Sequence, residues 1–307
     1  MESDEKFYLA ALARCPGLGS RWLQKLCQSF AAPRQVWDAS AEELVLRGQM
    51  PGRLAEKLVL FSRSDHERPD RLHEECLTAK VELCSLGDAA YPNILKEIFD
   101  PPMVLYYRGT LQPEADRAAI VGSRKFTPYG EGISMEFGER LAAAGLTVVS
   151  GAARGIDTSA HKGALRSGRT VAVLGCGVDV AYPSENRRLL HEIALSGGAV
   201  LSEYGPGTQP LPAFFPARNR IISGLSQGTL VVEAARRSGS LITAEMALAE
   251  GRDVFAIPGS IYSGTSQGCN HLIQQGAKLV QTPADILEEY GLAAPPPKKE
   301  RPRMTPE

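Results

Sequence analysis

The sequence has 307 residues, 43% hydrophobic and 22% charged, an ordinary mix for a chain that buries a sizeable core without disulfides or metals. Its formal net charge of −1 excludes a uniformly basic surface, so any nucleic-acid site must be concentrated in a local pocket. The six cysteines form no CxxC pair and no zinc-type spacing with histidine, and read as reduced, packed thiols. The N-terminus, Met1-Glu2-Ser3-Asp4-Glu5, is acidic where a signal peptide would be basic, and no apolar stretch approaches a membrane span. A cytoplasmic protein without a membrane partner is expected.

Helical periodicity opens the chain, over 7–13, 20–30, 41–46, 54–61 and 72–79, and predicts a small helical domain across residues 1–80. Between its first two helices, Pro16-Gly17-Leu18-Gly19-Ser20 is a short turn that resembles a helix-hairpin-helix connection or a plain helix-turn-helix link. From about Val81 the pattern changes to short apolar runs separated by helices, which predicts a second domain over 81–292. Strands are expected at 104–107, 118–121, 146–150, 170–174, 199–202, 229–232, 253–257 and 278–280. Their near-continuous apolar character suits a mostly parallel sheet covered on both faces, that is, a doubly wound α/β fold. The proline-rich, basic stretch 293–307 reads as a disordered tail.

In such a sheet, ligands bind beyond the carboxyl ends of the strands, so the loops after each strand hold the chemistry. Gly122-Ser123-Arg124-Lys125 pairs a glycine that permits close approach with an arginine able to grip phosphate oxygens in two places. Ser150-Gly151 opens a small-residue turn running to Asp157, which can cap the next helix; His161, further on, has no partner pattern of a catalyst. Gly175-Cys176-Gly177-Val178-Asp179 lacks the last glycine of the dinucleotide fingerprint, which disfavours a nicotinamide cofactor. Phe214 and Phe215 precede Arg218-Asn219-Arg220 at a helix start, a combination offering base stacking, phosphate neutralisation and base-edge hydrogen bonds, although the two rings also suit a core. Arg218 and Arg220 cannot share one helical face, so one can meet a ligand while the other braces the fold. Finally, Ser238-Gly239-Ser240 forms a phosphate nest at a helix start, with Glu233 before it as a catalytic base or an arginine orienter.

Taken in order, these strings resemble the DNA-processing protein A (DprA/Smf) family through nearly all of residues 90–290. The resemblance runs from Gly122-Ser123-Arg124 through Tyr182-Pro183, Phe215 to Ser226 and Ser238 to Thr243 to Ile257-Pro258-Gly259 and Gly268-Cys269-Asn270. It implies an extended Rossmann-like domain with a small sterile-alpha-motif-like domain before it. The implied role is to bind and shield single-stranded DNA taken up in natural transformation and to help load a RecA-type recombinase. The resemblance further implies a homodimer through the Rossmann-like domain, no cofactor and no known catalysis. The family's pocket arginines carry over to Arg124, Arg218 and Arg220. A lysine that some members place shortly before the phenylalanine-proline pair is absent, Pro212 and Ala213 standing there, and a C-terminal winged-helix module of many members is not expected here.

Residues 115–290 contain sixteen Lys/Arg, thirteen of them arginine, and sixteen Asp/Glu, so affinity for DNA must come from arginines gathered at the strand ends. The expectation is that Arg124, Arg218 and Arg220 converge on phosphates, with the Ser150-Gly151 and Ser238-Gly239-Ser240 amides alongside. The rival reading is a Rossmann-like nucleoside-monophosphate phosphoribohydrolase, whose Pro-Gly-Gly-x-Gly-Thr signature is only partly echoed by Ser226-Gln227-Gly228-Thr229 ahead of Glu233. A nuclease lacks an acidic metal-binding cluster of recognisable spacing.

Overall fold

The computed structural model describes residues 3–293; the rest of the expected tail lies outside the described residues. The chain opens with six helices: α1 (Ser3–Ala13), α2 (Ser20–Ser29), α3 (Pro33–Asp38), α4 (Ala41–Leu46), α5 (Gly52–Ser62) and α6 (Pro69–Ala79). α3 is absent from the sequence expectation because Val36 and Trp37, adjacent in the string, give no helical spacing of apolar residues, yet they bury its inner face. Prolines act as starters here, with Pro33 and Pro69 in the first turns of α3 and α6, where a missing N–H costs nothing. α4 is fixed by a capping box: Ser40 Oγ accepts from the Glu43 N–H at 3.2 Å, and the Glu43 carboxylate accepts from the Ser40 N–H at 2.8 Å.

The change to α/β grammar falls between α6 and β1 (Glu82–Ser85), a strand absent from the sequence expectation because its polar ends leave only Leu83 and Cys84 as an apolar signal. There follow β2 (Val104–Gly109), β3 (Arg117–Val121), α7 (Pro128–Ala143), β4 (Thr147–Ser150), α8 (Ile156–Ala164), β5 (Thr170–Val173), α9 (Arg187–Leu195) and β6 (Ala199–Ser202). The chain then forms α10 (Phe214–Gly224), β7 (Gly228–Val231), α11 (Gly239–Ala249), β8 (Asp253–Ala256), α12 (Gln267–Gln274), β9 (Lys278–Leu279) and α13 (Ala284–Glu289). Among the described residues the strands form one nine-stranded sheet in the order β1-β2-β6-β5-β4-β3-β7-β8-β9. From β6 to β9 every ladder is parallel, while β2 is antiparallel to both β1 and β6. The fold is therefore the expected Rossmann-like, mostly parallel, doubly wound sheet.

Neighbouring residues of one strand serve different cores, which explains the unbroken apolar runs. Val148 of β4 joins Phe137 and Leu141 of α7 and Ala160 of α8 on one face, and Val149 joins Ile221 of α10 and Ala244 of α11 on the other. The helical region is not a separate bead: Leu9, Leu12 and Leu26 share a buried cluster with Tyr106 of β2, Leu189 of α9 and Val200 of β6. The chain leaves β3 to build β4, β5 and β6 on one side and returns to place β7, β8 and β9 on the other, so the carboxyl ends of β3 and β7 flank the switch point where open α/β sheets hold ligands. No described helix is long and apolar enough to cross a membrane. All six cysteines are free, and burial pushes the thiols of Cys84 and Cys269 up to about 12.

α7 and α8 approach each other closely because Gly163 faces the Met135 carbonyl with no room for a methyl group. Gly163→Ala should therefore lower stability by about 1–3 kcal/mol, the usual cost of overpacking, read as a reduced urea midpoint at unchanged slope.

Candidate nucleic-acid interface

A cavity of about 730 Å³ opens at the switch point, walled by the loops after β3, β4, β5, β7 and β8 and by the first turns of α10. The β3 loop supplies Gly122, Ser123, Arg124 and Lys125. A Cβ on Gly122 would stand 2.7 Å from Ile156 of α8, so only glycine lets the loop pass the helix at this distance. Ser123 shapes the next turn: its N–H donates to the Glu233 carbonyl at 2.7 Å, and its Oγ accepts from the Lys125 N–H at 3.0 Å. Arg124 is thereby turned outward, exposed, with its guanidinium carbon 5.7 Å from the centre of the Phe215 ring. Among the described residues it enters no ion pair.

Arg218 lines the same cavity from below and is only 4% exposed. Its Nη1 donates to the Gly151 carbonyl at 2.9 Å and to the Val173 carbonyl, which ties α10 to the tips of β4 and β5. Burial pushes this guanidinium down to about 10, with the Asp157 carboxylate opposing the shift; burial in turn pushes Asp157 up. Gly151 is obligatory between the two, since a Cβ there would lie 2.6 Å from Arg218 Nη2 and 2.8 Å from Asp157 Oδ2. Neither Ser150 nor Gly151 faces the cavity. The Ser150 hydroxyl donates to the Ile120 carbonyl at 2.6 Å inside the sheet, and the cavity wall is made instead by Ala153 and Asp157 of that loop.

The remaining wall is aromatic and polar. Tyr182, 42% exposed, lies 5.3 Å from Phe215 with the rings tilted 38° to each other, and with Arg124 they form an aromatic lip; Phe214 stacks instead on Tyr204 at 4.1 Å. Asn219 approaches the Gly239 carbonyl at 3.5 Å, and Ser238 caps α11, accepting from the Ser240 N–H at 3.4 Å. Ser238, Gly239, Ser240 and Asn219 all line the cavity.

Arg220 departs from the expected convergence. It points to the other side of α10, where it makes a two-pronged pair with Glu203 at 3.0 and 2.7 Å and meets Asp100 at 3.3 Å, and it does not line the cavity. Its pKa is raised by those two carboxylates against the pull of burial. Glu233 orients no arginine. It is 3% exposed, and its oxygens accept the N–H and hydroxyl of Thr127, at 2.9 and 2.5 Å, at the start of α7, where a negative charge also suits the helix dipole. His161 is fully buried, its Nδ1 2.6 Å from Thr170 Oγ1, and burial drives its pKa down to about 3, leaving it neutral. The Pro16–Ser20 turn joins α1 to α2 as expected but borders a different cavity, beside Trp22 and Phe99. Sequence reasoning missed Tyr182 as a wall residue; the signal was an aromatic in a strand-end loop, next to the proline that starts the following segment. It also missed Glu203, the carboxylate directly after β6.

A family model described as DNA recombination-mediator protein A matches residues 82–291. The DNA processing protein DprA of Streptococcus pneumoniae is 53% identical over 216 residues, 67% of this chain and 73% of that protein. The X-ray structure of DprA from Streptococcus pneumoniae superimposes with a TM-score of 0.79 at 39% identity, covering 94% of this chain and 98% of that one. A structure of DNA processing protein A from Helicobacter pylori, described by its single-stranded DNA binding mode, gives a TM-score of 0.62 at 29% identity over 69% of this chain and 97% of that one. On its fold, its strand-end loops and these matches, the chain belongs to the DNA recombination-mediator protein A family.

Proposed function

We propose that this protein binds single-stranded DNA in the strand-end cavity, shields strands taken up in natural transformation and helps load a RecA-type recombinase onto them. In this reading it works in the cytoplasm as a homodimer joined through its Rossmann-like domains. The observation that carries the binding step is Arg124: an exposed guanidinium without a carboxylate partner among the described residues, held over Phe215 at the mouth of a cavity that also presents the Ser238-Gly239-Ser240 turn. Such a site offers a phosphate grip, a stacking surface and backbone donors at once. The Helicobacter pylori relative, described by its single-stranded DNA binding mode, supports the choice of ligand. Arg218 is assigned a positive potential at the cavity floor and Arg220 a bracing role. Glu233 speaks against the phosphoribohydrolase alternative, because both its oxygens are engaged by Thr127 and it does not line the cavity. Incubation with AMP or CMP should release no base.

In mobility-shift titrations the wild type should prefer single-stranded over double-stranded oligonucleotides, and Arg124→Ala should weaken single-strand binding by roughly ten- to a hundredfold, the loss of one charge-assisted contact. The log-log salt slope should become shallower by about 0.7, the value of one phosphate. An unchanged slope would remove Arg124 from the phosphate contacts. Arg220→Ala should behave in the opposite way, lowering stability to urea by about 3 kcal/mol because it strands Glu203 and Asp100, while leaving the salt slope as in wild type.

A further inference from the structure

Across the loop that carries Tyr182 lies a second recess, of about 490 Å³. Ala181 lines this recess and Tyr182 the strand-end cavity, so a single peptide bond spans the wall between them. Arg108, Arg187, Arg188 and His191 surround a floor that includes Val178 and Leu190. One carboxylate, Asp179, also faces it, and both of its oxygens accept the Gly207 N–H at 3.0 Å. Arg187 and Arg188 are exposed, and among the described residues neither enters an ion pair. Arg108 donates one N–H to the Ala79 carbonyl, while its buried Nε has no acceptor.

Helix stability does not account for the two exposed arginines. They are the first two residues of α9, whose first turn has no acidic side chain, so both cations oppose the helix dipole. A chain with a net charge of −1 thus concentrates unpaired guanidinium groups in one concave place. Concave clusters of one sign focus potential and attract the opposite charge.

We propose that this recess holds backbone phosphates of the same single strand, which leaves the strand-end cavity around Tyr182 and continues along the first turn of α9. The proposal rests on the single-strand reading above and extends it from one cavity to a track. Bases stacked at the Tyr182–Phe215 lip would deliver the next phosphates to Arg187 and Arg188, each able to grip two oxygens.

The test is fluorescence anisotropy with the double variant Arg187→Gln/Arg188→Gln, using oligo-dT of about six and about 25 nucleotides, lengths chosen around the usual site sizes of single-strand grooves. Affinity for the long oligomer should fall roughly tenfold with a salt slope shallower by about 1.4, two phosphates' worth, while the short oligomer binds as to wild type. Arg53→Gln/Arg63→Gln, the same charge change on exposed positions at the two ends of α5, should leave both unchanged. Equal losses for both lengths, no loss for the long one, or the same loss in the α5 variant would each overturn the track. So would normal DNA binding combined with loss of recombinase capture, which would assign the recess to an acidic protein surface. A wild type that binds neither length would instead sink the single-strand reading itself, and the track with it.

Discussion

A guanidinium that barely reaches solvent organises the strand ends. Arg218 donates to the carbonyls of Gly151 and Val173, so the tips of β4 and β5 and the first half of α10 are held as one unit. Buried carbonyls demand partners, and one nitrogen of the Arg218 fork supplies two of them from elements far apart in sequence, while its Nε is left without an acceptor. The consequences spread outward from it. Gly151 must be glycine because the guanidinium and Asp157 crowd it from both sides; Phe215 and Asn219 are placed on the cavity wall because α10 cannot turn. At a pKa of about 10 the group remains charged at neutral pH and lends its field to the cavity it underlies.

The cavity becomes electropositive without a basic chain by withdrawing its acids. Glu233 is spent on the N-terminus of α7, and Glu203 and Asp100 are held by Arg220 on the far side of α10. Asp157, the carboxylate on the cavity wall, accepts from the Ala153 N–H at 3.3 Å and sits beside Arg218. What is left at the mouth is Arg124 and Lys125. A neutral domain can therefore carry a local polyanion site, and its salt dependence would report only the few exposed cations.

The fold was legible in the sequence to the extent that its signals were local and repeated. The strands from 104 to 280 were anticipated within a few residues, because two buried faces leave an unbroken apolar run, and the strand-end loops announced themselves through Gly, Ser and Arg. β1 and α3 were not, since each offers only two adjacent apolar residues, Leu83-Cys84 and Val36-Trp37, among polar ones. The site was legible as a set of loops but not as a set of roles. Arg124, Arg218 and Arg220 look alike in a string, and what separates them is whether a carboxylate or a carbonyl lies within reach, which is decided by residues as distant as Asp100 and Val173. Glu233 is the same case: a lone glutamate after a strand suggests chemistry, and only the folded contact shows that it holds Thr127, the N-cap of α7.

The Arg218-Asn219-Arg220 triplet shows how that ambiguity resolves into mechanism. Successive residues of a helix are turned by 100°, so three consecutive side chains must enter three environments. Arg218 enters the strand tips, Asn219 meets the Gly239 carbonyl at the start of α11, and Arg220 reaches Glu203 after β6 and Asp100 before β2. The triplet is thus a three-way fixing of α10 more than a three-fingered grip on DNA. Further along the same helix, Gly224 admits Ile98 and Leu95 from the segment before β2, adding a fourth anchor. A helix held on this many sides presents Phe215 and Asn219 with little freedom left to lose, and any ligand of the cavity would gain from order already present in the protein. Arg124, by contrast, lies outside this framework: it is exposed beside the Phe215 ring and, among the described residues, has no carboxylate to fix it as Arg220 is fixed.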